Sequence, residues 1–386
     1  MRLQTRFATL AGALVVWWQL VAMSWPSEPP SAAIRESAKF DPDDRLVLIP
    51  GRVGTKDCKF MIDTGSTVSI FDVSLRPSLG PRVGSSYVTI PSGGGVELES
   101  FSPPDAWIGS LPLTTGPVLC SDLTPFYEAS GCRLHGIVGM DFLKRWIVAI
   151  DFDEGRVDVL HPGTERDPKW GECVPFIYDN DGSMRVLVAA GKNIRTGFVV
   201  DTGQSGTGVL DDAILDRLVG SHEARLTGDE SCMTLTGACY PRAARLSYLC
   251  LGSFRHENLQ FMGGRQNFLG LGYLSRYRVT IDFVNERLYL AKGKHFADRE
   301  RGHRCGLSSR FRSGQIEVES VDEKSPAHAA GFRAKDVIVK LHGKAVSELK
   351  PSEAHRLLTA EGEPVLVTIE RGDRRIELSF TPKEYD

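Results

Sequence analysis

Short apolar runs, separated by glycine, proline and charged residues, recur along most of the chain after residue 45. Runs of about four to eight apolar or alternating residues bounded by turn-forming residues are typical of β-strands. Clear cases are Arg45–Ile49, Lys59–Ile62, Arg156–Leu160 and Met184–Ala190. The pattern therefore predicts a mainly β protein.

Two of these runs end in the same way. Phe60–Thr67 and Phe198–Gly203 each pass from apolar residues to Asp-Thr-Gly. A glycine permits a tight turn directly after the strand, because it carries no Cβ. Each aspartate is therefore expected where a buried strand ends. The short donors around Asp63 are expected to orient its carboxylate and to lower its pKa.

The similarity between the two halves extends beyond these turns. An apolar segment that contains glycine follows each copy, at Gly136–Leu143 and at Phe268–Leu274. Further on, Ile150–Phe152 corresponds to Ile281–Phe283 at nearly the same offset. Repeats of this length indicate two related structural units.

These motifs resemble the pepsin and retropepsin family of aspartic proteases. The resemblance implies a two-lobed pepsin/retropepsin-like β-barrel protease in one chain, with lobe 1 over residues 45–165 and lobe 2 over 172–294. It implies that Asp63 and Asp201 share a proton and activate a water that hydrolyses the peptide bond, without a metal or cofactor. Supporting roles are implied for Thr64, Gly65, Ser66, Thr202 and Gly203. Gln204 departs from the family, in which Ser, Thr or Ala is usual.

A glycine-rich hairpin is predicted within residues 84–98. In the family, a flap of this kind closes over the substrate, and Tyr87 with Gly93, Gly94 and Gly95 would fill that role. The alternative is an ordinary surface hairpin.

The N-terminal segment has a basic start and a short apolar core, which is typical of a secretory signal. Residues 1–24 are predicted to be a signal peptide or an N-terminal anchor, and residues 25–44 a linker. Both alternatives place the protein outside the cytoplasm, in the periplasm or extracellular space. The only membrane contact predicted is through this anchor.

The eight cysteines of an exported chain favour disulfides, and no Cys-x-x-Cys pattern suggests zinc. Cys120 with Cys132, and Cys232 with Cys239, are close in sequence and are candidates for loop disulfides. The connectivity stays open, and free buried thiols are the alternative.

The last part of the chain, residues 301–386, resembles a PDZ domain. The resemblance rests on Ser325–Ala327, on Ala330–Gly331 and on Asp336 after them, with Pro351–Thr359 as the groove helix. It implies binding of C-terminal peptides through Gly306, Leu307 and Ser308, with His355 on the facing helix. The alternative is a PDZ-like module that only packs on the lobes.

Together these features predict an exported aspartic-type endopeptidase that acts on extended or unfolded polypeptides, with the PDZ domain recruiting them. A monomer is sufficient for this activity. The alternative is a non-catalytic peptide-binding or scaffold protein, and a third possibility is a dimer that pairs first lobes. The net charge of −3 does not suggest nucleic acid as a partner.

Overall fold

The computed structural model describes residues 34–42, 46–90, 93–113, 116–230, 232–298, 305–312, 314–360 and 362–383. The predicted signal or anchor segment and most of the predicted linker lie outside the described residues. The described chain is mainly β, as the apolar pattern predicts. None of the helices within it is both long and apolar enough to cross a membrane.

The first half is built mostly from short strands. They are β1 (Ile34–Lys39), β2 (Leu48–Val53), β3 (Lys56–Ile62), β4 (Ile70–Asp72), β5 (Arg82–Thr89), β6 (Gly95–Phe101), β7 (Ala106–Ile108), β8 (Leu111–Pro112), β9 (Val118–Ser121), β10 (Gly136–Val138), β11 (Ile147–Asp151) and β12 (Arg156–Leu160). Its helices are α1 (Thr124–Ser130) and α2 (Met140–Leu143), with 3-10 turns at Val73–Ser78 and Pro168–Trp170.

The second half repeats this plan. Its strands are β13 (Glu172–Tyr178), β14 (Met184–Ala190), β15 (Ile194–Val200), β16 (Gly208–Asp211), β17 (Ala224–Asp229), β18 (Cys232–Thr234), β19 (Gly237–Cys239), β20 (Arg242–Leu251), β21 (Phe254–Gly264), β22 (Phe268–Leu269), β23 (Tyr277–Asp282) and β24 (Arg287–Lys292). Its helices are α3 (Asp212–Gly220) and α4 (Leu271–Leu274).

The internal repeat has a structural counterpart in the strand pairing. In the first half β3 runs parallel to β10, which is antiparallel to β4. In the second half β15 runs parallel to β22, which is antiparallel to β16. The strand that leads to each Asp-Thr-Gly turn therefore lies beside the apolar segment that the sequence repeat identified.

One sheet joins the two halves. Strand β11 pairs antiparallel with β23, with Ile147 opposite Asp282 and Asp151 opposite Arg278. The sheet then continues through β24 and β13 to further strands of the second half. A large apolar core, with fully buried Phe60 and Phe198, includes residues of both halves.

Several strand boundaries differ from the predicted ones for local reasons. Strand β2 extends to Val53, beyond the predicted Ile49, because its pairing with β3 continues past Pro50. Pro50 lies opposite Lys59 of β3, and the pairing with β7 on the other side begins only at Arg52. A proline can occupy a strand position where no N–H is needed. The predicted bounds of Arg156–Leu160 and Met184–Ala190 are those observed.

The C-terminal module has a separate core. Its elements are β25 (Leu307–Arg312), β26 (Gln315–Val321), α5 (Pro326–Ala329), β27 (Val337–Leu341), β28 (Lys344–Ala345), a 3-10 turn at Val346–Glu348, α6 (Pro351–Thr359), β29 (Val365–Arg371) and β30 (Arg374–Phe380). The sheet order is β25-β26-β27-β29-β30, so β25 and β30 are edge strands. Buried Ile316, Ile338 and Ile369 are part of its core.

Candidate functional site

The two Asp-Thr-Gly turns are held by equivalent backbone hydrogen bonds. The N–H of Asp63 donates to the carbonyl of Val138 at 3.0 Å, and that of Asp201 donates to Leu269 at 2.9 Å. These bonds continue the parallel pairing of β3 with β10 and of β15 with β22. Each aspartate is therefore fixed at the carboxyl end of its strand by the neighbouring apolar segment.

The threonines of the two turns bind each other's strands. The Thr64 hydroxyl donates to the carbonyl of Val200 at 2.6 Å and accepts from the N–H of Thr202 at 3.1 Å. In the reverse direction, the Thr202 hydroxyl donates to Ile62 at 2.7 Å and accepts from the N–H of Thr64 at 3.1 Å. Both side chains are buried. The sequence placed these threonines in this role only through a resemblance, and the structure brings them together.

The glycines of the turns lie against the opposite carboxyl groups. A methyl group on Gly65 would lie 2.6 Å from Oδ1 of Asp201, and one on Gly203 would lie 2.6 Å from Oδ1 of Asp63. Real Cβ atoms do not approach other atoms so closely, so no other residue fits without a shift of the carboxyl groups. The two aspartates are therefore neighbours across the junction of the halves.

Donors surround each carboxylate. The N–H groups of Gly65 and Ser66 donate to Oδ1 of Asp63 at 2.8 and 3.1 Å, and the N–H of Gly203 donates to Oδ1 of Asp201 at 2.9 Å. The Ser66 hydroxyl instead donates to the carbonyl of Val68 at 2.8 Å. Ser66 therefore supports the site with its backbone.

Burial determines the protonation of the pair. Loss of water raises the pKa of Asp63 above its usual value, although the N–H of Gly65 opposes this effect. Burial, followed by the negative charge of Asp63, raises the pKa of Asp201 well above its usual value. The predicted lowering of the pKa of Asp63 is thus wrong, because desolvation outweighs the hydrogen bonds. A proton shared between the two groups follows from these directions.

Gln204 lies against the apolar segment that contains Gly270. Its backbone carbonyl accepts from the N–H of Leu271 at 2.8 Å. Its amide oxygen is buried, and within the described part of the chain it has no hydrogen-bond partner. A side chain at position 270 would collide with this oxygen and with the backbone carbonyl oxygens of Gly206 and Gln204, which explains the glycine there.

The predicted flap is a hairpin of β5 and β6. Tyr87 is 67% exposed, and its ring lies against Gly95. Gly93 and Gly94 form the tip with positive φ, and a methyl group on Gly93 would lie 2.7 Å from Nε of Arg265 in the second half. The hairpin tip of one half therefore reaches the other half.

The second half contributes a short hairpin at the candidate cysteines Cys232 and Cys239. Strands β18 and β19 are joined by the disulfide Cys232–Cys239. Leu235 at its tip packs against the first half beside Leu123 and Phe126. Cys120, a candidate partner of Cys132, forms no disulfide, and its thiol is buried. Of the two pairs that closeness in sequence suggested, the structure forms only Cys232–Cys239.

The C-terminal module places its predicted binding residues on two elements. Gly306, with φ of 75°, leads into Leu307 and Ser308 at the start of edge strand β25. His355 is exposed on α6. Among the described residues, no group of His, Cys, Asp or Glu side chains is arranged to hold a metal ion.

Comparison with known proteins identifies the class of this module. Residues 290–381 match the family model of the PDZ domain. The C-terminal part of the chain is therefore a PDZ domain, as its motifs predicted.

A curated relative is a protein named a probable CtpA-like serine protease, from Staphylococcus saprophyticus subsp. saprophyticus. It is 31% identical over 91 residues. The match covers 22% of this chain and only 18% of the relative.

These comparisons correct the predicted activity. The relative is a serine protease by name, whereas the sequence motifs predicted an aspartic-type endopeptidase. The assignment of an aspartic endopeptidase is therefore wrong by this comparison.

Proposed function

We propose that this protein binds extended polypeptides through its PDZ domain and receives them at the junction of the halves that holds Asp63 and Asp201. The observation that carries the proposal is the PDZ domain, with β25 as an edge strand and α6 as a nearby helix. An edge strand has unpaired N–H and C=O groups that an extended peptide satisfies by strand addition.

The two halves are proposed to have a pepsin/retropepsin-like fold. The repeated parallel pairing, the crossed bonds of Thr64 and Thr202 and the sheet shared by β11 and β23 support this proposal. In such an arrangement a chain lies between the halves, over the aspartate pair.

The proposed role of the aspartate pair is to bind the backbone of the polypeptide. A protonated carboxyl donates a hydrogen bond, whereas an ionised one only accepts. A pair that shares one proton therefore offers a donor and an acceptor at the same point, which matches the alternating C=O and N–H groups of an extended chain. The hairpin with Tyr87 and Gly93–Gly95 is proposed to cover the bound chain.

Peptide binding is tested with fluorescent decapeptides that differ in their last three residues, each with a free and with an amidated C-terminus. We expect the full chain to bind a subset with free carboxylates and to bind their amides at least tenfold more weakly. His355→Ala should weaken binding, and Arg356→Ala, also exposed on α6, is the matched control. Equal binding of acids and amides would contradict the PDZ mode of recognition.

Export of the protein is also a proposal. The disulfide Cys232–Cys239 supports it, because disulfides persist mainly in oxidising compartments. Fractionation of cells that produce the full chain, followed by thiol alkylation, tests it. Recovery of the protein in the cytoplasm with both cysteines reduced would contradict export.

A role in proteolysis is the second candidate, and the relative named a serine protease favours it. Since the chain spans only 18% of that relative, the activity is proposed from this similarity alone. Degradation of unfolded casein by the full chain should be blocked by a serine-directed fluorophosphonate. Absence of both degradation and labelling would exclude this candidate.

A further inference from the structure

Helix α1 lies between the PDZ domain and the disulfide hairpin of the second half. It packs against β25, the edge strand of the PDZ domain, and against β18 of the disulfide hairpin. No motif in the sequence marks this short helix. Its position suggests a connection between the peptide site of the PDZ domain and the junction of the halves that holds the aspartate pair.

The contact with β25 is partly polar. Arg310 on β25 forms an ion pair with Glu128 on α1 at 3.7 Å and a second one with Glu319 on β26. Nε of Arg310 and the hydroxyl of Ser308 are buried without hydrogen-bond partners among the described residues. Buried polar atoms without partners cost free energy, so they weaken the packing of α1 on β25.

The contact with the hairpin is apolar. Leu235, near the hairpin turn, packs against the cluster that contains Leu123 and, beside it, Phe126 of α1. The disulfide Cys232–Cys239 closes the same hairpin and holds its two strands together. A displacement of Leu235 is therefore expected to move the whole hairpin.

The chain after α1 leads to the aspartate pair. The backbone N–H of His135 donates to the carbonyl of Lys59 at 2.9 Å. In the following strand, β10, the carbonyl of Val138 accepts from the N–H of Asp63. A displacement of α1 would therefore act on the backbone beside Asp63 as well as on the hairpin.

We propose that α1 couples peptide capture by the PDZ domain to release of the β18–β19 hairpin from the first half. A polypeptide that adds to β25 displaces α1, and the displaced helix no longer supports Leu235. The coupling rests on the proposed peptide binding, and it acts in both directions because linkage between two sites is reciprocal.

The first test needs no ligand. Glu128→Arg places a cation opposite Arg310, and Glu323→Arg makes the same charge change at an exposed position of the PDZ domain as the control. In hydrogen-exchange mass spectrometry of the full chain, Glu128→Arg should raise exchange in residues 124–130 and 232–239. Unchanged exchange in the hairpin of a folded Glu128→Arg variant would overturn the coupling.

The second test uses the tightest decapeptide with a free C-terminus. We expect Glu128→Arg, which removes an ion pair, and Leu235→Ala, which removes an apolar contact, each to bind it about fivefold more tightly than the wild type. Thr236→Ala in the same hairpin turn is the control. Binding by the wild type that leaves hairpin exchange and all affinities unchanged would overturn the coupling and leave peptide binding intact. Failure of every peptide to bind any variant would reject the proposed function and the coupling together.

Discussion

Asp63 and Asp201 illustrate how burial and hydrogen bonding compete at a single residue. Backbone N–H groups that donate to a carboxylate lower its pKa, and the sequence motif predicts several such donors. The structure provides these donors, but it also removes water and places a second carboxyl group nearby. The directions of both pKa shifts follow from the loss of water, and the negative charge of Asp63 raises the pKa of Asp201 further.

Replacement of Gly203 by alanine should disturb the pair directly. The new methyl group would lie 2.6 Å from Oδ1 of Asp63, so the carboxyl group must move. We expect a loss of about 2 kcal/mol in the free energy of unfolding, typical of overpacking, measured by urea denaturation. Gly84→Ala, where no atom lies within 4 Å of the added methyl group, should change it by less than about 0.5 kcal/mol. Equal effects of the two variants would contradict the close approach.

Replacement of Thr64 by valine should remove two buried hydrogen bonds that join the halves. The carbonyl of Val200 and the N–H of Thr202 would lose their partner without gaining water. The expected cost is about 3 kcal/mol, measured as the loss of unfolding free energy. Thr202→Val should cost a similar amount because its bonds are equivalent. A cost below about 0.5 kcal/mol for both would contradict this account.

The elements differ in how clearly the sequence defines them. The bounds of β12 and β14 follow directly from the pattern of apolar residues, and the structure has the predicted limits. By contrast, α1 is short, and its packing against β18 and β25 involves residues distant in sequence. Local propensity determines the first kind of element, and tertiary contact determines the second.

Within the PDZ domain, Asp336 should be a principal determinant of stability. It is 1% exposed, accepts from Arg371 at 2.7 and 2.8 Å and accepts from the N–H of Arg333 at 2.8 Å. Asp336→Ala leaves the backbone N–H of Arg333 without this acceptor, and it leaves the guanidinium of Arg371 with the carbonyl of Gly331 as its remaining acceptor among the described residues. We expect a loss of about 3 kcal/mol for the PDZ unfolding transition, measured by calorimetry.

The control for this prediction is Glu370→Ala, which removes an exposed partner of Arg375. Its effect should stay below about 1 kcal/mol, as is usual for surface ion pairs. A small effect of Asp336→Ala would show that the ion pair with Arg371 contributes little to the domain.

At the scale of the whole molecule, the aspartate pair should make stability depend on pH. Raised carboxyl pKa values mean that the folded state binds protons more tightly than the unfolded state. This contribution is fully present below the usual aspartate pKa of about 4 and is lost as pH rises through the folded-state pKa. Asp201→Asn imitates the protonated form, so it should gain stability relative to the wild type as pH rises from 4 to 7. Melting temperatures measured across this range test the sign, and an Asn variant that loses relative stability toward pH 7 would contradict it.

His256 contributes with the opposite sign. Burial lowers its pKa to about 4, and its Nε2 lies 2.6 Å from the hydroxyl of Tyr277. The unfolded state therefore binds the proton first, and this contribution to stability is lost as pH falls from about 6.5 to 4. Comparison of Asp201→Asn with the wild type removes the histidine effect, because His256 is present in both.

The sequence by itself determined the mainly β character, the internal repeat, the residues of the two Asp-Thr-Gly turns and the PDZ domain. Each depends on local patterns: strand periodicity, glycine where a turn needs it, and a specific motif. Tertiary structure alone decided the pKa directions of Asp63 and Asp201 and the contacts of α1. These depend on which distant groups exclude water or meet in space, and no local pattern encodes that.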